Sequence, residues 1–205
     1  MPVIVVANPK GGVGKTTLAT NLAGFLASRG HRVMLGDVDR QQSSRTWLAL
    51  RPAGLPRIES WEVARDEIVR PPKGTTHVVL DTPAGLHGKR LDEVMKIADK
   101  VLVPLQPSIF DIHASADFVR QLRSHRRGDR VEMAIVGMRT RDGTISTDQL
   151  RAFLDGVGLP VLGFLRDTQN YVHLAAHGLT LWDVGSARFE RDREQWEPIT
   201  TWVDA

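Results

Sequence analysis

Residues 9–17 carry glycine, lysine and threonine at the short spacing that proteins use to hold a chain of phosphates. The segment reads Pro9-Lys10-Gly11-Gly12-Val13-Gly14-Lys15-Thr16-Thr17 and lies between an apolar run and a helical pattern. Glycines let backbone N–H groups turn toward an anion, and the start of a helix adds partial positive charge. We expect Lys15 to reach the β- and γ-phosphates of a nucleotide and the Thr16 hydroxyl to ligate Mg²⁺. Pro9 replaces the first glycine of the pattern G-x-x-x-x-G-K-T, but the other requirements are met.

Acidic residues follow two further apolar runs of the chain. Asp37 and Asp39 come after the run 32–36, and Asp81 comes directly after the run 77–80. Ligands of parallel α/β sheets bind beyond the carboxyl ends of the strands, so these residues are expected beside the glycine-rich segment. A carboxylate is useful there because water is a poor nucleophile until a side chain orients it in line with the phosphate. For Asp37, the capping of a nearby helix is the structural alternative.

Apolar runs and helical stripes alternate along the chain and must position these residues. Strands are predicted at 3–7, 32–36, 77–80, 101–103, 131–136 and 161–164, with a possible short strand at Ile58. Helices are predicted after the glycine-rich segment, at 41–50, around 91–98, from Ser108 with its capping residue Asp111, around 150–157 and at about 168–177. Strands that are apolar throughout belong to a sheet that is covered on both faces. The predicted fold class is α/β, a doubly wound, mostly parallel sheet with helices on both faces.

The composition is that of a globular α/β protein. The chain has 205 residues, of which 41% are hydrophobic and 25% are charged, and these values argue against disorder. It contains no cysteine, which excludes disulfides, cysteine-ligated zinc and thiolate-held iron–sulfur clusters and favours a cytoplasmic location. No stretch approaches the roughly 20 apolar residues of a membrane span. We expect a single domain over residues 1–205 with a C-terminal helical tail at about 186–205, interrupted at Pro198 and packed on the domain.

The segment from Lys10 to Thr17 resembles the deviant Walker A motif of the ParA/MinD family of ATPases. In that family the early lysine crosses a dimer that encloses two ATP molecules and contacts the phosphates of the partner's nucleotide. The resemblance implies this role in trans for Lys10, and a solvated surface lysine is the alternative. The implied catalytic residues are Lys10, Lys15 and Asp39. The implied nucleotide contacts are Lys10, Gly11, Gly12, Val13, Gly14, Lys15, Thr16, Thr17 and Gly85.

Three later segments resemble motifs of the same family. Residues 37–41 resemble its second acidic motif, D-x-D-P-Q, with Arg40 in place of the proline. Residues 78–85 resemble the Walker B region, and residues 103–111 resemble the proline-bearing loop of ParA proteins. Together these matches cover residues 3–112 well and the later residues weakly.

The resemblance also assigns a role to each acidic residue. It implies that Asp39 positions the attacking water, that Asp37 supports the hydration shell of Mg²⁺ and that Asp81 binds a water of that ion. The resemblance also implies that Gly85 approaches the γ-phosphate and acts as a switch. The implied cofactors are ATP and Mg²⁺, with Thr16, Asp37 and Asp81 at the metal.

Within the family, the sequence is similar to the short ParA-like ATPases. The resemblance implies an ATP-bound homodimer, binding to nonspecific DNA of the nucleoid, and a ParB-like or cargo-adaptor protein that stimulates slow hydrolysis. A plasmid, a chromosome or a protein assembly such as the carboxysome remains open as the cargo. Two alternatives also remain open: a MinD-like regulator that cycles on and off the membrane, and an ATP-dependent amidotransferase or synthetase of the same fold. The acidic residues of the tail argue against stable membrane insertion.

The charge of the chain permits contact with nucleic acid without demanding it. Lys and Arg number 27 against 24 acidic residues, a net charge of +3. We expect Arg120, Arg123 and Arg127 to share one face of a helix, and solvated surface arginines are the alternative. The candidate DNA contacts are Arg120, Arg123, Arg127, Arg166, Arg188 and Arg191. The base of the nucleotide is expected to contact the segments 138–144 and 165–172.

Overall fold

A computed structural model describes residues 1–39, 41–61 and 71–205, with the side chains of residues 109–113 left out. Arg40 of the second acidic motif and the side chain of Asp111 in the predicted capping box therefore lie outside the described part. Within these ranges, strands and helices alternate as β1 (Val3–Val6), α1 (Lys15–Ser28), β2 (Val33–Asp37), α2 (Ser43–Ala49), β3 (Ile58–Trp61), β4 (His77–Asp81), α3 (Gly88–Ile97), β5 (Lys100–Leu105), α4 (Ile109–Ser124), β6 (Glu132–Thr140), α5 (Ile145–Leu154), β7 (Val161–Arg166), α6 (Gln169–Ala175) and α7 (Glu190–Asp204). Short 3-10 helices precede β6 and α7.

The seven strands form one sheet with the order β3-β2-β4-β1-β5-β6-β7. Every strand pair in this sheet is parallel. The first strand lies in the middle, and the chain builds one half of the sheet on each side of it. This arrangement confirms the predicted fold class, a doubly wound parallel sheet.

Alternating side chains of the strands divide the core into two layers. In β1, Val3 and Val5 belong to one hydrophobic cluster, whereas Ile4 and Val6 belong to the other. Successive residues of a strand point to opposite faces of a sheet. Buried residues of α3, α4 and α5 join the first cluster, and those of α1, α2, α6 and α7 join the second. Helices therefore cover both faces, as predicted.

The strand register brings three loops to one edge of the sheet. Val6 at the end of β1 pairs with Asp81 at the end of β4. Asp37 at the end of β2 also pairs with Asp81. The glycine-rich segment, the second acidic motif and the loop after Asp81 therefore begin side by side, as the rule for parallel sheets predicts.

The C-terminal tail forms a continuous helix, so the predicted interruption at Pro198 is wrong. Helix α7 runs through Pro198. A proline inside a helix cannot donate to the carbonyl four residues earlier, which here belongs to Glu194. Both residues are exposed, so water can satisfy that carbonyl. Trp196 and Ile199 are buried in the core, as expected for a tail that packs on the domain. No helix in the described ranges is both long enough and apolar enough for a membrane crossing.

Helix α4 ends before Arg127, so the prediction that Arg120, Arg123 and Arg127 share one helix face is wrong. The helix ends at Ser124. The chain then turns tightly at Gly128, where a Cβ atom would lie 2.3 Å from the carbonyl oxygen of Arg123. This turn takes Arg127 off the helical face.

Candidate nucleotide site

Gly14 shapes the turn from β1 into α1. Its φ angle is 93°, in the left-handed region that favours glycine. A Cβ atom at this position would lie 2.7 Å from the Cε atom of Met138. Helix α1 starts at the next residue, and the Leu18 N–H donates to the Gly14 carbonyl at 2.9 Å. The first backbone N–H groups of α1, which have no partner within the helix, are thus left at the nucleotide edge.

The two lysines of the glycine-rich segment are linked through its backbone. Lys15 Nζ donates a hydrogen bond to the carbonyl oxygen of Lys10 at 2.6 Å. Burial lowers the pKa of Lys15, and the negative charges of Asp81 and Asp39 oppose this shift. An ammonium group in this partly desolvated position attracts phosphate more strongly than one in bulk water.

Thr16 and Asp81 meet at the position predicted for Mg²⁺. The Thr16 hydroxyl donates to Asp81 Oδ2 at 2.7 Å. Burial raises the pKa of Asp81 to about 7. The hydrogen bond from Thr16 opposes this rise, and the negative charge of Asp37 adds to it. The other carboxylate oxygen, Oδ1, is buried and has no hydrogen-bond partner among the described residues. A divalent cation or one of its waters would satisfy this oxygen.

These residues fit a magnesium ion that is shared with a nucleotide. Among the described residues, no three His, Cys, Asp or Glu side chains lie close enough together to hold a metal. Mg²⁺ in phosphate-binding sites takes one or two carboxylates together with phosphate oxygens and waters. The Thr16 hydroxyl and the Asp81 carboxylate are protein oxygens of this kind.

Asp37 holds the start of α2. Its Oδ2 accepts hydrogen bonds from the Ser44 N–H at 2.9 Å and the Ser44 hydroxyl at 2.8 Å. Its Oδ1 accepts from the Asp39 N–H at 2.9 Å. The Oδ2 bonds are of the kind expected from the capping alternative, although the N-cap position itself is Gln42, and the Oδ1 bond holds the loop before the helix. Asp37 is also the register neighbour of Asp81, and its role in the hydration shell of Mg²⁺ stays a prediction.

Asp39 lies close enough to the phosphate-binding residues to act on their charge. The residue is half-buried, and its Oδ1 accepts from the Gln41 N–H at 3.0 Å. Its negative charge raises the pKa values of both Lys15 and Asp81. The orientation of an attacking water by Asp39 stays a prediction.

Hydrogen bonds join the three loops of this edge. The Gly85 N–H donates to the Pro9 carbonyl at 2.7 Å, and Gly85 adopts a φ of 72°, which favours glycine. The Arg90 guanidinium of α3 donates to the Val38 carbonyl of the second acidic motif. These bonds tie the glycine-rich segment to the loop after Asp81, and the second acidic motif to the start of α3.

Asn8 is a positioning residue that the sequence analysis missed. Its side chain is fully buried, and Nδ2 donates to the Pro104 carbonyl at 2.8 Å and to Ser115 Oγ at 3.1 Å. Its Oδ1 accepts from the Lys10 N–H at 2.8 Å. Asn8 therefore ties the glycine-rich segment to β5 and α4. The available signal was a polar residue directly after an apolar strand and before the glycines.

A cavity of about 620 Å³ opens beside the glycine-rich segment, and we call it the base-side cavity. Gly14 and Thr17 line one wall, Met138 and Arg139 line another, and residues 165–176 contribute the rest. This position agrees with the predicted base contacts in 138–144 and 165–172, which stay a prediction. The walls contain both apolar and polar side chains, as suits a planar base with a ribose.

One group of predicted DNA contacts surrounds a groove at the end of α4. Arg120 and Arg123 line this groove, which has a volume of about 530 Å³. Arg120 pairs with Asp117, and both side chains are mostly exposed. The Arg127 guanidinium instead donates to the carbonyl of Lys96. Of this group, Arg120 and Arg123 are therefore the arginines that stay at the protein surface as candidate DNA contacts.

The other group bonds to side chains near the base-side cavity. The pairs are Arg166 with Asp192, Arg188 with Asn170 and Arg191 with Asp142. The charge of Arg166 is offset by a fully buried carboxylate. This group is therefore less suited to phosphate contact than Arg120 and Arg123.

The parallel sheet, the glycine turn after its central strand and the Thr16–Asp81 pair define a P-loop nucleotide-binding protein. Residues 4–181 match the family described as the CobQ/CobB/MinD/ParA nucleotide binding domain. The chain belongs to this family, which confirms the resemblance seen in the motifs.

Two relatives share a more specific name. The chain is 31% identical over 187 residues to the maintenance of carboxysome distribution protein A of Gloeobacter kilaueensis, with 87% of this chain and 83% of the relative covered. The protein of that name from Halothiobacillus neapolitanus is 29% identical over 192 residues, with 89% and 88% covered.

Solved structures share the fold at lower identity. The MinD cell division protein of Aquifex aeolicus superimposes with a TM-score of 0.77 at 19% identity, covering 100% of this chain and 98% of that one. An ATP complex of a McdA variant from Cyanothece gives a TM-score of 0.71 at 17% identity, covering 98% and 96%. These likenesses extend over nearly the whole of both chains and concern the fold.

Proposed function

We propose that the chain is a Mg²⁺-dependent ATPase of the ParA type that encloses ATP in a homodimer, binds nonspecific DNA and distributes a cargo. A cargo adaptor or ParB-like partner stimulates its slow hydrolysis. The observation that supports this best is the glycine-rich turn with two linked lysines, Lys10 and Lys15, beside the Thr16–Asp81 pair. Lys15 contacts the phosphates of the nucleotide in its own protomer, and Lys10 contacts those of the nucleotide in the partner.

The residues divide the work of phosphoryl transfer. Lys15 and the N–H groups of α1 would hold the phosphates. Thr16 and Asp81 would hold the metal, which would supply positive charge at the phosphates. Asp39 orients the attacking water. Lys10 of the second protomer adds positive charge where negative charge develops. Hydrolysis therefore depends on dimerisation.

The relatives support a protein assembly as the cargo. Two proteins named for the maintenance of carboxysome distribution align with more than four fifths of this chain. We therefore favour distribution of a carboxysome-like assembly over the nucleoid, ahead of segregation of a plasmid or chromosome.

The groove lined by Arg120 and Arg123 is the favoured DNA contact. A single groove of this size makes few phosphate contacts, but a dimer places two such grooves on one DNA molecule. Binding then depends on salt through counterion release and hardly depends on sequence. A membrane-cycling role is less well supported, because the apolar residues of α7 are buried in the core.

A Lys10→Ala substitution tests the proposal. The variant is expected to bind ATP as a monomer, whereas the wild type dimerises with ATP and Mg²⁺ in light scattering after gel filtration. Lys89→Ala, at an exposed position of α3, is the matched control and should dimerise. Dimerisation of Lys10→Ala at the wild-type ATP concentration would refute the role in trans.

DNA and membrane binding are tested on the same preparations. A mobility shift with plasmid DNA should require ATP and should weaken at least tenfold between about 50 and about 200 mM salt. Arg120→Ala with Arg123→Ala should remove the shift and leave the ATP-dependent dimer intact. ATP-dependent sedimentation with anionic liposomes, without a DNA shift, would favour the membrane alternative instead.

A further inference from the structure

Helix α7 holds one wall of the base-side cavity without lining it. Five hydrogen bonds join its residues to the segment 166–171, whose residues other than Asn170 line the cavity. The donors and acceptors on α7 are Asp192, Gln195 and Trp196, at the spacing i, i+3 and i+4 that forms one helix face. This face is specialised for contact with the cavity wall.

Asp192 makes three of these bonds from a position with 0% exposure. Arg166 Nε donates to its Oδ1 at 2.6 Å, and Arg166 Nη2 donates to its Oδ2 at 3.2 Å. Asn170 Nδ2 donates to Oδ2 at 2.6 Å. A buried carboxylate is costly unless it is paired and hydrogen-bonded. Folding therefore fixes Arg166 and Asn170 against Asp192 in one arrangement.

Two further bonds fix the same wall. Gln195 Oε1 accepts from the backbone N–H of Arg166 at 3.0 Å. Trp196 Nε1 donates to the Tyr171 hydroxyl at 3.0 Å, and the Trp196 side chain is fully buried. Tyr171 itself lines the cavity. Both the backbone and the side chains of the wall thus depend on α7.

We propose that Asp192 is a positioning residue for the nucleoside half of the bound nucleotide. Through Arg166 and Asn170 it holds the wall on which the base and ribose pack, whereas the phosphate half depends on the glycine-rich segment. The inference rests on the proposed function, which places ATP in this site. It makes α7 a determinant of nucleotide affinity, although no residue of α7 lines the cavity.

Asp192→Asn tests the proposal with two ligands that share only the phosphate chain. Titration calorimetry should show the Kd for Mg²⁺-ATP raised about tenfold, the effect of losing one charged hydrogen bond. The Kd for inorganic triphosphate with Mg²⁺, which lacks the nucleoside, should stay within about twofold. In steady-state hydrolysis, KM should rise while kcat is kept. Glu194→Gln, on the exposed side of α7, is the matched control and should match the wild type with both ligands.

Tyr171→Phe is a second variant that retains the ring and removes only the bond to Trp196. It should weaken ATP binding about threefold and leave triphosphate binding unchanged. If Asp192→Asn does not fold, Asn170→Ala removes one partner of Asp192 and decides the question by the same comparison of ATP with triphosphate. Equal weakening for both ligands, or no weakening for ATP in a folded variant, would overturn the positioning role. Failure of the wild type to bind ATP would refute the proposed function before any variant is compared.

Discussion

The raised pKa of Asp81 should make binding of the magnesium–nucleotide complex depend on pH. In the proposed site, the ionised carboxylate of Asp81 binds Mg²⁺ or one of its waters, so a protonated Asp81 must lose its proton first. With a pKa of about 7, about one molecule in eleven is ionised at pH ~6 and about ten in eleven at pH ~8. The affinity for Mg²⁺-ATP is therefore expected to fall about tenfold from pH ~8 to pH ~6 through this group.

Calorimetric titration of wild type and Asp81→Asn over this pH range checks the magnitude. The phosphate of the nucleotide titrates near pH ~6 as well, and the variant retains this background without the carboxylate. The difference between the two pH profiles isolates Asp81. In EDTA the difference should lose this sign, since the ionised carboxylate then has no metal to bind and only repels the phosphates. Equal pH profiles for both proteins with Mg²⁺ present would refute the reasoning.

The same shift has a consequence for stability. The pKa of Asp81 rises from 3.8 to about 7 on folding, so the folded state favours the protonated form. This preference contributes at most about 4 kcal/mol to the free energy of unfolding. The contribution is fully present below pH ~4 and is lost as the pH rises to ~7. Asp81→Asn removes the cost of ionisation, so the nucleotide-free variant should melt at a higher temperature than wild type at pH ~8. A lower Tm of the variant at that pH would contradict this.

Three further substitutions test the framework of the site. Gly14→Ala places a Cβ atom against Met138 at a φ of 93°, and should abolish ATP binding in calorimetry while the protein remains folded by circular dichroism. Asn8→Ala leaves the Lys10 N–H without its partner, and should lower stability by about 1–3 kcal/mol in urea unfolding. Asp183→Ala leaves Arg51, with a side chain that is 5% exposed, without its ion partner. It should cost about 3–5 kcal/mol and lower the Tm by on the order of 10 °C, and an unchanged Tm would contradict the burial of this pair.

The sequence predicted the phosphate-binding half of the site because this half is built from contiguous segments. The glycine-rich turn, Asp81 and the apolar strands each leave a local pattern, and the parallel sheet brings their ends together by rule. The alternation of strands and helices likewise identified the fold class. What remained open was whether Asp37 caps a helix or supports the metal, and its hydrogen bonds to Ser44 show the capping contacts.

For the proposed nucleoside half, the sequence predicted the segments 138–144 and 165–172 but not the contacts that hold them, because these contacts join residues that are distant in the chain. Asp192 lies in a tail with several other acidic residues, and no local pattern marks it as the buried one. Its partner Arg166 was assigned to a DNA surface for the same reason. Pro198 was expected to interrupt the tail helix, but its exposed position makes the missing hydrogen bond inexpensive. Such outcomes depend on tertiary surroundings that a single sequence does not display.

The amino ends of the strands lie on the opposite side of the sheet from the nucleotide. The Pro2 carbonyl accepts from the Val78 N–H at 3.0 Å near the start of β4. At the start of β5, Lys100 Nζ donates to the Trp202 carbonyl at 2.6 Å. A fluorophore or affinity handle fused near Pro2 or Trp202 is therefore expected to emerge away from the side on which the proposed dimer forms around ATP. Imaging and surface immobilisation at these positions should leave that face free.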